Sequence, residues 1–130
     1  MIVVDANVLI GLYDPGAANH STAERLLLAH ASEEFTMSAL TLTEFLIRPA
    51  AVGKVAAAEA LVDALGVVVS PLLAEDAPRI AYVRAETRLK LPDAVVLWLA
   101  QSLSAKLMTL DDRLAKSAME LGIEVVARGI

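Results

Sequence analysis

Short, unbroken apolar runs alternate with helical stretches along this chain, and the alternation sets its architecture. Ile2-Val3-Val4 is apolar at every position, the pattern of a strand buried on both faces in a parallel sheet. Asp5-Ala6-Asn7 turns into a short helical segment through Gly11, broken by Asp14-Pro15-Gly16. Ser21 or Thr22 opens a helix to about His30, with Ala23, Leu26 and Leu27 at helical spacing. Residues 34–37 predict a second strand. Ser38 or Thr41 then caps a helix carrying Glu44, expected to end before Pro49 because proline disfavours helical backbone in the residue preceding it. A further helix spans about 55–65 and stops at Gly66, and Val67-Val68-Val69 predicts a third strand.

Residues 74–89 predict one long helix rich in Arg and Glu. Pro92-Asp93 marks the start of the next, which runs to about Leu103. That helix is apolar nearly all round, so it belongs between other elements. Residues 106–110 predict a fourth strand, 112–121 a helix stopped by Gly122, and 123–126 a last strand. Strands alternating with helices imply one domain over residues 1–130, an α/β fold with a parallel sheet between two helical layers. In such sheets ligands bind beyond the carboxyl ends of the strands. Asp5 and Asp111 both fall there.

Composition narrows the chemistry. Without cysteine, disulfides, thiolate metal sites and cysteine nucleophiles are excluded. No signal peptide is visible, and Lys54, Glu59 and Asp63 interrupt the Ala-rich stretch, so a cytoplasmic protein is the default expectation. The hydrophobic fraction of 57% and mean hydropathy of +0.60 exceed what a core of this size requires. The surplus points to a subunit or partner interface. A net charge of −5 looks unsuited to nucleic acid, yet seven of the eleven basic residues lie between Arg79 and Lys116. An acidic centre beside a basic rim can hold metals and guide a polyanion; spacing alone fits solvated helix faces equally well.

Four acids carry the chemical argument: Asp5 after the first strand, Glu44 within Leu40–Ile47, Asp93 opening the apolar helix, and Asp111 after the fourth strand. Singly, each has an ordinary role. Asp111 or Asp112 can cap the following helix, Asp93 can do the same for its own, and Asp5 can form a turn. Glu44 shares a helical face with Leu40 and Ile47, so its carboxylate is expected among apolar groups, where it is costly without a partner. Carboxylates converging on one spot repel, and a divalent cation is the usual remedy. Carboxylate ligands suit Mg²⁺ or Mn²⁺. Such a site activates water for in-line attack on a phosphodiester. His20 and His30 lie on a polar helix that looks peripheral, the serines lack His–Asp partners, and no glycine-rich phosphate loop is present.

The segments Ile2-Val3-Val4-Asp5-Ala6-Asn7, Thr43-Glu44-Phe45-Leu46, Leu91-Pro92-Asp93-Ala94 and Thr109-Leu110-Asp111-Asp112-Arg113-Leu114 resemble, in order, the successive motifs of PIN domains. The nearest likeness is to VapC-type toxins of bacterial type II toxin–antitoxin pairs. The resemblance implies a five-stranded sheet of order 3-2-1-4-5. It implies a Mg²⁺- or Mn²⁺-dependent endoribonuclease whose acidic cluster is Asp5, Glu44, Asp93 and Asp111, with Asn7 and Thr109 orienting the carboxylates. Asp112 occupies a position variable in the family and is expected to be a helix cap or an outer helper. A homodimer and a cognate antitoxin laid over the active-site face are the implied partners.

Three rivals remain at this level. A haloacid dehalogenase-type phosphohydrolase needs a second acid two residues after the first, where this chain has Asn7. A receiver domain needs an aspartate ending a central strand, and Asp63 lies in an Ala-rich helix instead. The serious alternative is a non-catalytic PIN-like module that binds RNA or a partner without cutting; four retained acids argue against it.

Overall fold

A computed structural model describes residues 1–126. Strand β1 (Ile2–Val4) leads into α1 (Ala6–Tyr13) and α2 (His20–Ala29); β2 (Phe35–Ser38) leads into α3 (Ala39–Ala51) and α4 (Val55–Ala64). Strand β3 (Val68–Ser70) is followed by α5 (Ala77–Thr87) and α6 (Leu91–Leu103), then β4 (Lys106–Met108) and α7 (Asp112–Glu120). All strand pairs are parallel and the order is β3-β2-β1-β4. The chain therefore builds outward from β1 to β3, then returns to lay β4 on the other side of β1. That reversal leaves a crevice at the carboxyl ends of β1 and β4, where open α/β sheets hold ligands.

Alternation along the strands divides the interior in two. Ile2 and Val4 of β1 and Met108 of β4 face a layer packed by Val8, Leu9, Leu26, Phe45 and Val62 from α1 to α4. Val3 and Leu107 face the opposite layer, filled by α6 with Ile80, Val83, Leu114 and Ala118 from α5 and α7. Every residue from Ala94 to Ala100 is buried, which accounts for a helix apolar on all sides. Each fully buried Val or Leu there contributes about 1.5–3 kcal/mol. A charge at Leu97, which is fully buried, would break this layer.

The expected fifth strand is reduced to a single bridge. Leu107 pairs in parallel with Val125, through Leu107 N–H to the Glu124 carbonyl at 2.9 Å and Val126 N–H to the Leu107 carbonyl at 2.8 Å. The segment thus lies beside β4, where the order 3-2-1-4-5 puts it. Two helix boundaries also differ from expectation. Helix α3 continues through Pro49 to Ala51; the proline falls in its last turn, where its ring is buried and few helical bonds remain to be lost. Residues 74–89 are split into a short 3₁₀ turn, Ala74–Asp76, and α5. Pro78 is accommodated in the first turn of α5, and Arg88 ends it in the left-handed region at φ 60°. Ser38 caps α3 as expected, accepting from Thr41 N–H at 3.1 Å, whereas α2 starts at His20 without a side-chain cap from Asn19.

Candidate functional site

Asp5 is set by the strand it follows. Its N–H donates to the Met108 carbonyl at 2.9 Å, extending the β1–β4 pairing by one step. Its extended backbone then makes it the N-cap of α1. One carboxylate oxygen accepts from Ala6 N–H at 2.8 Å, the other from the Thr109 hydroxyl at 2.8 Å. Only 6% of Asp5 is exposed. Burial pushes its carboxyl up to about 6, with Asp93 and Glu44 adding repulsion, against the lowering effect of those two hydrogen bonds.

Thr109 ties the ends of β1 and β4 together. While donating to Asp5, its oxygen accepts from the Asn7 side-chain amide at 3.3 Å and from Asp111 N–H at 3.1 Å. Asn7 in turn accepts from Leu110 N–H at 3.1 Å. Asn7 thus holds the loop behind β4, and Thr109 holds Asp5. Asp111 is the N-cap of α7: its Oδ1 accepts from Arg113 N–H at 2.9 Å and Leu114 N–H at 3.3 Å. Asp112 is the exposed first residue of α7.

Glu44 and Asp93 come from the helices. Glu44 projects from the middle of α3, and Asp93 from the first turn of α6, where it makes no capping hydrogen bond. Both are half-buried. Burial raises the carboxyl of Glu44, helped by repulsion from Asp93. Burial also raises Asp93, helped by Asp111 and opposed by Lys90 and Arg113. The apolar setting expected for Glu44 is only half present, because Ile47 is 62% exposed at the rim. All four acids line one cleft of about 350 Å³, together with Asn7, Ile10 and Arg48.

Asp5, Glu44, Asp93 and Asp111 thus share a cleft while arriving from four elements. Among the described residues, no three acidic side chains stand close enough to clasp an ion between them. A set of carboxylate oxygens lining an open cleft still fits Mg²⁺ or Mn²⁺; Mg²⁺ in particular keeps several waters and needs only one or two carboxylates. Arg48 is the residue missed by counting charges in sequence. It lies outside the basic cluster, and its signal is its place one helical turn after Glu44. Lys106, counted in that cluster, starts β4 at the far end of the sheet and pairs with Glu33 at 3.3 Å.

A parallel three-layer α/β protein with an acidic cleft at its topological switch point is the class that fold and site define. The PIN domain profile matches residues 2–119, and the chain belongs to the PIN domain family. No curated protein matches the sequence. Among solved structures the chain is similar to one in a toxin–antitoxin complex from Klebsiella pneumoniae, with 25% identity, 98% of each chain covered and a TM-score of 0.78. It is also similar in fold to the sarcin–ricin loop cleaving toxin VapC20 of Mycobacterium tuberculosis, at 24% identity, 90% of this chain and 95% of that one, TM-score 0.72. A chain of FitAcB from Neisseria gonorrhoeae is similar at 19% identity, 98% of each chain and TM-score 0.74. Among the described residues no helix is long and apolar enough to cross a membrane.

Proposed function

We propose that this protein is a Mg²⁺- or Mn²⁺-dependent endoribonuclease, the toxin of a toxin–antitoxin pair. The observation that carries the reading is the meeting of Asp5, Glu44, Asp93 and Asp111 in one cleft at the carboxyl ends of β1 and β4. Three of them have carboxyls raised by burial and mutual repulsion, a cost that a bound cation offsets. The likeness to a chain from a toxin–antitoxin complex supports the biological setting.

In this reading one or two of the four carboxylates, with water, would hold the cation directly, which would supply Lewis acidity and a more acidic water when bound. The chain's own residues prepare the rest. The Thr109 hydroxyl and Ala6 N–H fix both oxygens of Asp5, so its orientation is set before substrate arrives. Arg48, on the cleft wall, offsets the phosphate charge. Water adds to phosphorus, one P–O ester bond breaks, and the departing oxygen takes up a proton, leaving a phosphate monoester and a hydroxyl.

Exposed apolar side chains support the proposed partners. Ile47 stands at the cleft rim, and Tyr82, Leu91 and Met119 are more than half exposed elsewhere. A homodimer and an antitoxin segment over the active-site face would cover such groups. A cytoplasmic location fits an enzyme acting on cellular RNA. The decisive experiment is cleavage of a labelled RNA in Mg²⁺ or Mn²⁺ by wild type and Asp5→Asn, with and without EDTA. Wild type should cut only with metal and Asp5→Asn not at all; cleavage by Asp5→Asn at the wild-type rate would sink the assignment.

A further inference from the structure

Helix α7 presents Asp111 to the cleft on slender support. Two of its nine residues are buried, Leu114 and Ala118, while Arg113, Lys116, Met119 and Glu120 face solvent. Burying one leucine and one alanine returns less than ordering nine residues costs. The ends of the helix therefore matter more than its middle. At the amino end Asp111 Oδ1 accepts from Arg113 N–H at 2.9 Å and Leu114 N–H at 3.3 Å. A cap of this kind changes the closed-to-open ratio of a helix about fivefold. At the carboxyl end Gly122 turns at φ 79°, and Val126 N–H pins the segment behind it to the Leu107 carbonyl of β4 at 2.8 Å. The carboxylate that caps the helix also lines the acidic cleft. One side chain thus serves both.

We propose that α7 is a latch closed by the cation: without it the helix opens as a unit between its two anchors and withdraws Asp111, and with it the helix shuts. The inference rests on the metal-site reading and adds regulation to that same site. Closing α7 sets Asp111 in a cleft already lined by Asp5, Glu44 and Asp93, and its charge repels Asp93. Asp112 adds a further negative charge one residue on. Arg48 on the cleft wall, and Lys90 and Arg113 acting on Asp93, offset part of this repulsion. A divalent cation reverses its sign, drawing Asp111 inward whichever carboxylates touch the ion directly. An ion that favours the closed form stabilises it by mass action. Cleft and helix are coupled through the one carboxylate they share.

Hydrogen exchange read residue by residue tests the latch. In EDTA the amides of residues 115–120 in α7 should exchange at least about tenfold faster than those of residues 95–100 in α6, by local rather than global opening. Saturating Mg²⁺ should slow the α7 amides about 10- to 100-fold. Asp111→Asn keeps the cap and removes the charge. Its α7 should exchange in EDTA no faster than wild type, and Mg²⁺ should change that rate less than about threefold. Asp111→Ala removes cap and charge together, and should quicken α7 about fivefold in EDTA without quickening α6. Equal rates for α7 and α6 in wild type overturn the latch, because α7 then opens only with the whole fold. Two further results overturn it while leaving the metal site standing. One is slowing by Mg²⁺ at Ala6 but not in α7; the other is an undiminished Mg²⁺ response of α7 in Asp111→Asn. If neither Mg²⁺ nor Mn²⁺ alters exchange anywhere, the metal reading fails and the latch fails with it.

Discussion

The two ends of the β1–β4 pair carry clusters of charge with opposite characters. At the amino end Glu33 sits among basic groups. His30 Nδ1 lies 3.1 Å from its carboxylate and Lys106 Nζ 3.3 Å. Hydrogen bonding to His30, then the Lys106 charge, holds the Glu33 carboxyl below its usual range. At the carboxyl end Asp5, Glu44 and Asp93 have acids for neighbours and burial against them, and all three carboxyls are raised. One cluster is complete within the chain. The other keeps three raised carboxyls within the chain, and that asymmetry marks it, rather than the Glu33 cluster, as the candidate site.

The largest expected effect breaks the comparison at its functional end. Asp5→Asn, Glu44→Gln, Asp93→Asn and Asp111→Asn should each lower RNA cleavage at least about 100-fold, as displacement of a positioned group does. Glu33→Gln should leave the rate near wild type. Single-turnover rates measure both; a comparable loss at Glu33 would erase the distinction. Asparagine at 111 is the informative choice because it caps helices as well as aspartate. Asp111→Asn should therefore lose activity and keep its melting temperature, whereas Asp111→Ala should also lose about 1 kcal/mol of stability. Asp112→Ala should cost far less activity than either.

Stability against pH sharpens the contrast next. Asp5 binds its proton more tightly folded, near pH 6, than unfolded, near 3.8. Its cost is thus absent below about pH 4, grows between pH 4 and 6, and is fully present above, amounting to about 3 kcal/mol. Glu33 has the reverse sign: its stabilisation is present above its unfolded value and lost as pH falls through the lowered folded one. In EDTA the wild-type melting temperature should fall from pH 4 to 6, and Asp5→Asn should flatten that slope. A flat wild-type curve would show that Asp5 is not strained. Smaller again, Mg²⁺ or Mn²⁺ at neutral pH should raise the wild-type melting temperature by mass action and raise that of Asp5→Asn less. Equal shifts in both would place the ion elsewhere.

How much of this was legible in sequence depended on how local each cause is. An unbroken apolar run ended by an acid announced β1 and Asp5, and the all-apolar stretch announced the buried α6. Helix ends were legible where glycine takes the left-handed turn, as at Gly66 and Gly122 (φ 69° and 79°). The end at Thr87, before left-handed Arg88, was missed by two residues, because nothing in that residue type signals the turn, whereas the end at Leu103 was placed without a glycine to mark it. Pro49 misled for the opposite reason, since its burial in the last turn of α3 is a tertiary gain that no local preference records. The four acids were legible as a set from their places at strand ends and on inward helices, and motif order then reinforced it. That Thr109 donates to Asp5 while Asn7 steadies the following loop depends on β4 lying beside β1. Arg48 escaped because its importance comes from the wall it stands on.

The Thr109–Asp5 hydrogen bond joins residues 104 positions apart, which gives the cleft a place in time as well as space. While the chain is being synthesised, β1, β2 and β3 can emerge and begin to pack, yet Asp5 lacks its orienting hydroxyl and the cleft lacks Asp111. Both arrive on the loop that follows β4. A nascent chain is therefore without the complete cleft until the loop after β4 has been made and β4 has closed against β1.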